Sequence, residues 1–184
     1  MRILGISGSL RAGSYNSGLL RAARESAPEG VEVELYDGLA SLPPYDQDVQ
    51  DTDPPPAVRQ LRERIAAADA VLIATPEYNG SVPGLLKNAV DWASRPFPDN
   101  AFRGKPVAIV GASTGSYGAM WAQQDLRRVL GVVGARVLEG ELPVSRAQDR
   151  FDADGRLTDD MVRERLAGVV ERLAEESSIL RAAA

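Results

Sequence analysis

Apolar positions fall into short runs that alternate with stretches of helical periodicity. "RILGIS" (2–7) is a compact apolar run and "VEVELY" (31–36) alternates with period two. "AVLIAT" (70–75) and "PVAIVGAS" (106–113) are continuous, and "ARVLEG" (135–140) is a weaker fifth run. Alternation marks a strand covered on one face, and an unbroken run marks one covered on both. Helical patterns lie between them at roughly 16–27, 54–67, 83–94 and 118–132, with a last one at 158–176. Asp53 before Pro54 is the expected start of the second helix. Thr158 is the expected N-cap of the last, with Asp159 and Asp160 in its positive first turn.

Five strand–helix units with short loops predict an α/β fold, a parallel sheet with helices on both faces. No internal repeat or long linker is visible, so residues 1–184 are read as one domain. Ligands in such sheets bind beyond the carboxyl ends of the strands, where the strand order reverses. Three loops there carry the chemistry: "SGSLRAGSYN", "TPEYNGSVPG" and "ASTGSYGAM". Each is rich in Gly and in hydroxyl or amide side chains, and each precedes a helix.

The first loop offers hydroxyls at Ser9, Ser14 and Ser17, an amide at Asn16 and a guanidinium at Arg11. A helix N-terminus adds free N–H groups. Together these suit a phosphate, although any single serine there is equally a turn residue and Asn16 equally a plain N-cap. The spacing of Gly5, Gly8 and Gly13 is not G-x-G-x-x-G, and no Lys completes a P-loop, so a classical NAD site or an NTPase is disfavoured. In the second loop, Pro76 and Pro83 stiffen both ends. Asn79-Gly80 permits a turn with positive φ, and Tyr78 adds a flat apolar face. Such a loop can hold backbone groups along the edge of a planar ring. The third loop could close the other side of a flat ligand, though its signal alone is that of a plain loop.

Composition narrows the chemistry. The sequence has no Cys and no His. Thiolate catalysis, disulfides, zinc–thiolate sites, a Ser-His-Asp triad and His-ligated metals are therefore excluded. A carboxylate, Lys, Tyr or bound cofactor must carry any catalysis, and no metal site is expected. The net charge of −5 argues against nucleic-acid or membrane-surface binding. No apolar stretch of about 18 residues occurs and the N-terminal run is too short for a signal peptide, which points to the cytoplasm. "DADG" (152–155) lacks the alternating ligands of a calcium loop and reads as an acidic turn. Trp92 and Trp121 read as core or subunit-contact residues, and Lys87 and Asp91 as an i,i+4 pair.

"GISGSLRAGSYN", "TPEYNGSVPGLLKNAVDWASRP" and "GASTGSYGA" resemble the NAD(P)H-dependent FMN reductases, which include chromate-, quinone- and azo-reducing members. "LPPYDQD" (42–48) and "FDADGRLTDD" (151–160) also follow that pattern, so the resemblance spans nearly the whole chain. It implies a flavodoxin-like three-layer αβα sandwich around a five-stranded parallel sheet of order 2-1-3-4-5, with FMN at the carboxyl edge. By position, Ser9, Arg11, Ser14 and Asn16, with Tyr15 and Ser17 nearby, are the implied phosphate-loop residues. Pro76, Glu77, Tyr78, Asn79 and Gly80 are the implied ring-edge residues, and Ser113, Gly115 and Ser116 the third loop. The resemblance further implies NADPH or NADH as co-substrate, a small-molecule acceptor such as a quinone, flavin, azo dye or metal oxyanion, and a homodimer or homotetramer. No residue is implied as catalytic acid or base, because hydride transfer is the cofactor's own chemistry. The alternative from another class is a flavodoxin-type electron carrier that needs a protein partner.

Overall fold

The computed structural model describes residues 1–183. Strands β1 (Arg2–Ser7), β2 (Glu32–Tyr36), β3 (Ala70–Ala74), β4 (Pro106–Ala112) and β5 (Arg136–Val137) pair in the order β2-β1-β3-β4-β5, all parallel. A further strand, β6 (Leu142–Val144), continues along β4 beyond β5. The fifth position is thus shared by two short segments rather than the single strand expected over 135–140. The chain leaves the sheet at Glu139–Gly140–Glu141, where Gly140 takes φ 89°.

Side chains alternate across the sheet and divide the core. Ala108, Val110 and Ala112 of β4 face α1 (Tyr15–Glu25) and α6 (Asp160–Ala182). Val107 and Ile109 face α3 (Pro56–Ala67), α4 (Gly84–Ala93) and α5 (Met120–Val132). This is the expected three-layer αβα sandwich. β3 and β4 are buried along their whole length, which is why they read as unbroken apolar runs.

Helix boundaries depart from expectation where capping chemistry intervenes. Asp53 does not start α3. The second and third residues of a helix beginning at Pro54 would be Pro55 and Pro56, which have no N–H for an N-cap oxygen to accept. The helix starts at Pro56, and Asp53 instead ends α2 (Gln47–Thr52) and ion-pairs with Arg59 at 2.8 Å. α2 was not predicted because it buries no residue, so no apolar period marks it; its signal is Asp46, which accepts from Asp48 N–H at 2.9 Å. The last helix is capped by Asp159 rather than Thr158: Asp159 accepts from Val162 N–H at 3.0 Å and pairs with Arg150. Thr158 donates its hydroxyl to Arg150 O. α6 also runs to Ala182, past the expected 176, because the polar Ser177 occupies a buried position on its apolar stripe and bonds Asp69 O. At 152–155 the chain makes the expected acidic turn, with Asp152 accepting from Asp154 and Arg156 N–H.

Trp92 is a core residue, fully buried, with its indole N–H on Pro43 O at 2.8 Å and its ring edge-on to Tyr45. Asn88 donates to the same carbonyl and accepts from Tyr45 N–H, so the "LPPY" segment is clasped to α4. Trp121 is not core: it is 46% exposed and packs against the exposed Tyr117 at 4.6 Å between centroids.

Candidate functional site

The chain runs from β1 outward to β2, then returns to pair β3 on the other side of β1. The order therefore reverses at the carboxyl ends of β1 and β3. A cleft of about 290 Å³ opens there. It is lined by Ser9, Arg11, Ser14, Tyr15 and Asn16 from the loop after β1, and by Pro76, Glu77 and Tyr78 after β3. Ala112, Ser113 and Thr114 close it from β4.

The first loop is shaped by α1. Ser14 is the N-cap, and its Oγ accepts from Ser17 N–H at 3.4 Å. Ser14 O takes Gly18 N–H, so the N–H groups of Tyr15 and Asn16 have no acceptor within the helix. They sit at the positive end of α1 beside the cleft. Arg11 lies over the Tyr15 ring at 5.2 Å and forms no ion pair among the described residues. A guanidinium, two hydroxyls and open helical N–H groups meet there, the kinds of group that can hold an anion.

Asn16 lines the cleft and also braces it. The residue is 3% exposed, and its side-chain amide pairs with Ala112, donating to the carbonyl and accepting from the N–H. It ties α1 to the end of β4. Ser17 Oγ lies 2.9 Å from Ser7 Oγ, and Ser17 is not part of the lining.

The second loop is a tight hairpin. Tyr78 and Ser81 exchange backbone hydrogen bonds of 3.1 and 3.2 Å. Asn79 and Gly80 take φ 53° and 74°, the paired positive values of a type I′ turn. Asn tolerates this region and Gly occupies it freely. Pro76, Glu77 and Tyr78 reach the cleft, whereas Asn79 and Gly80 form the exposed tip and stay outside its lining. Glu77 is half-buried and points its Oε2 at Ala122 N–H on α5, 3.1 Å away.

In the third loop Ser113 faces the cleft and accepts from Gly115 N–H at 3.1 Å. Gly115 and Ser116 lie outside the lining, and Gly115 O accepts from Arg146 N–H. Thr114 and Ala112 line the cleft without having been singled out from sequence. Thr114 sits within the quoted loop, but its spacing alone does not distinguish it from its neighbours. Among the described residues no group of three or more Asp or Glu is placed to hold a metal.

Residues 1–149 match the family described as NADPH-dependent FMN reductase. The chain belongs to this family. An NAD(P)H-dependent FMN reductase of Pseudomonas aeruginosa is 52% identical over 165 residues, covering 89% of this chain and 88% of that one. A 2-hydroxy-1,4-benzoquinone reductase of a Burkholderia species is 38% identical over 175 residues, covering 95% and 94%. The solved flavoenzyme NAD(P)H:(acceptor) oxidoreductase from Paracoccus denitrificans superposes with a TM-score of 0.83 at 36% identity, covering 96% of this chain and 97% of that one. The chain is thus an oxidoreductase of the FMN- and NAD(P)H-dependent kind. The cleft fits that flavin on its own terms: one end is a cationic, N–H-rich helix start suited to a phosphate, and the other is a stiff hairpin with a flat aromatic face.

Proposed function

We propose that the protein reduces FMN with NAD(P)H in this cleft and passes the electrons to a small-molecule acceptor of the quinone type. The observation that carries this is the meeting, at one reversal point of the sheet, of the Arg11-bearing start of α1 and the 76–80 hairpin. Arg11, Ser9, Ser14 and the Tyr15 and Asn16 N–H groups hold the phosphate. Pro76 to Tyr78 line the ring edge, with Asn79 and Gly80 setting the turn, and Ser113 flanks the opposite side with Gly115 and Ser116 behind it. Ser17 steadies the first loop through Ser7.

When bound, FMN supplies the hydride-accepting and hydride-donating centre. The chain's own work is to bind, orient and exclude water. The 76–80 hairpin presents fixed backbone dipoles, which do not need to reorganise when charge develops on a ligand. Arg11 and the α1 N-terminus anchor the ligand so that a second planar molecule meets it in one orientation. No residue of the cleft needs to act as acid or base.

A homodimer or homotetramer is supported by the exposed aromatic surface of Tyr78, Tyr117 and Trp121, at 54%, 58% and 46% exposure. Dependence on a nicotinamide nucleotide supports a cytoplasmic setting; no helix among the described residues is long and apolar enough to cross a membrane. Residues 1–184 act as one domain. The test is turnover by the isolated flavoprotein. Purified protein loaded with FMN is expected to oxidise NADPH or NADH when a benzoquinone is added. Reduction that requires a protein partner would instead indicate an electron carrier.

A further inference from the structure

Helix α5 begins without a cap of its own. Its N-cap position, Ala119, has no side-chain oxygen and sits in the left-handed region at φ 62°. Gly118 before it takes φ 59°, and a Cβ there would lie 2.6 Å from Val144 N. The chain thus passes close against β6 just before the helix starts. The acceptor comes from another loop: Glu77 Oε2 takes the N–H of Ala122, the third residue of α5. That is one of the N–H groups an N-cap side chain ordinarily satisfies. A second link joins the same two elements. Ser81 Oγ donates to Asp125 Oδ2 at 2.8 Å, about one turn further along α5. Between these links lie Tyr78, Asn79 and Gly80, so the hairpin is held to α5 at both its ends.

We propose that Glu77 is a positioning residue whose carboxylate, as the remote N-cap of α5, locks the ring-edge hairpin in its ligand-binding geometry. This role rests on FMN occupying the cleft. It also explains an acidic side chain in a site for an anionic ligand. A free carboxylate there would repel the ligand, whereas one held at the positive end of α5 has its charge offset. Loss of an N-cap weakens the state it supports by about two- to thirtyfold.

The experiment compares wild type, Glu77→Ala and Glu77→Gln as full chains stripped of flavin. FMN affinity is read by fluorescence titration, and the exchange rate of the Ala122 amide by NMR on the flavin-free proteins. We expect Glu77→Ala to bind FMN about tenfold more weakly and to exchange Ala122 N–H faster. Glu77→Gln keeps an oxygen that can accept, so it should stay within about threefold of wild type with Ala122 protected. Glu77→Ser, too short to reach Ala122, replaces the alanine variant if that fails to fold, with the same expectations. Unchanged Ala122 exchange in Glu77→Ala overturns the role, as does equal FMN affinity in wild type and Glu77→Ala, or equal weakening by Ala and Gln. Wild type that takes up no FMN overturns the cofactor assignment itself; Ala122 exchange still reports separately whether Glu77 caps α5.

Discussion

Asn16 and Ala112 exchange two hydrogen bonds beneath the cleft: the side-chain amide donates to the carbonyl at 3.0 Å and accepts from the N–H at 2.9 Å. They are 96 residues apart, and the pairing fixes the start of α1 against the end of β4. It links the elements that carry the first and third loops.

Replacing Asn16 should therefore damage the scaffold more than a direct phosphate contact would. Asn16→Ala leaves a buried N–H and a buried carbonyl without partners, a loss of about 2–4 kcal/mol. Asn16→Asp can still accept but cannot donate, and sets a carboxylate against the Ala112 carbonyl. Both variants should melt about 4–16 °C lower than wild type by calorimetry. A melting temperature within about 1 °C of wild type would contradict the brace.

Arg11 is expected to behave in the opposite way. It is exposed and makes no ion pair among the described residues, so Arg11→Ala should leave the melting temperature of the flavin-free protein almost unchanged. FMN binding should weaken about ten- to a hundredfold, the worth of one charge-assisted hydrogen bond. Arg11→Lys should recover part of the loss, since a point charge cannot reproduce the guanidinium fork. Fluorescence titration of the three proteins decides the matter.

At the hairpin tip the expected effects follow backbone conformation. Gly80→Ala forces a Cβ into the left-handed region and should cost about 1–2 kcal/mol. Asn79→Gly asks for the same turn from a freer residue and should change stability little. Chemical denaturation of both variants separates a conformational requirement at Gly80 from a mere preference for small residues.

Asp159 gives a pH dependence of known sign. The Val162 N–H it accepts and the Arg150 guanidinium beside it lower its pKa below the usual carboxylate value. A depressed folded pKa stabilises the protein fully above the unfolded value of about 3.9. That stabilisation is lost as pH falls through the lower, folded value. Asp159→Asn should therefore be less stable than wild type at neutral pH, with the gap closing only below about pH 4. A gap that stays constant from neutral to strongly acidic pH would exclude titration of Asp159 as its source.

The sandwich was legible because β3 and β4 are buried on both faces and so appear as unbroken apolar runs, and because a glycine- and hydroxyl-rich loop sits just after each of β1, β3 and β4. What was not legible depended on contacts between distant segments. The hydrogen bonds of Asn16 to Ala112 and of Glu77 to Ala122 cannot be seen from either residue's neighbours in the chain. α2 buries nothing and leaves no period. The fifth strand position is split because Gly140 turns the chain out of the sheet, a geometry that "ARVLEG" does not announce. Pro55 and Pro56 show the reverse case: their missing N–H groups were visible in the sequence and would have ruled out Asp53 as a cap.

The central claim is that the α1 end of the cleft holds the phosphate of FMN while the 76–80 hairpin holds its ring. Equilibrium titration of the flavin-free protein with FMN and with riboflavin tests it most directly, because the two ligands differ only in that phosphate. Binding of one FMN per chain is expected, with riboflavin at least about a hundredfold weaker and the difference narrowed about ten- to a hundredfold in Arg11→Ala. Equal affinity for the two ligands, or a preference for FMN that Arg11→Ala leaves untouched, would contradict it.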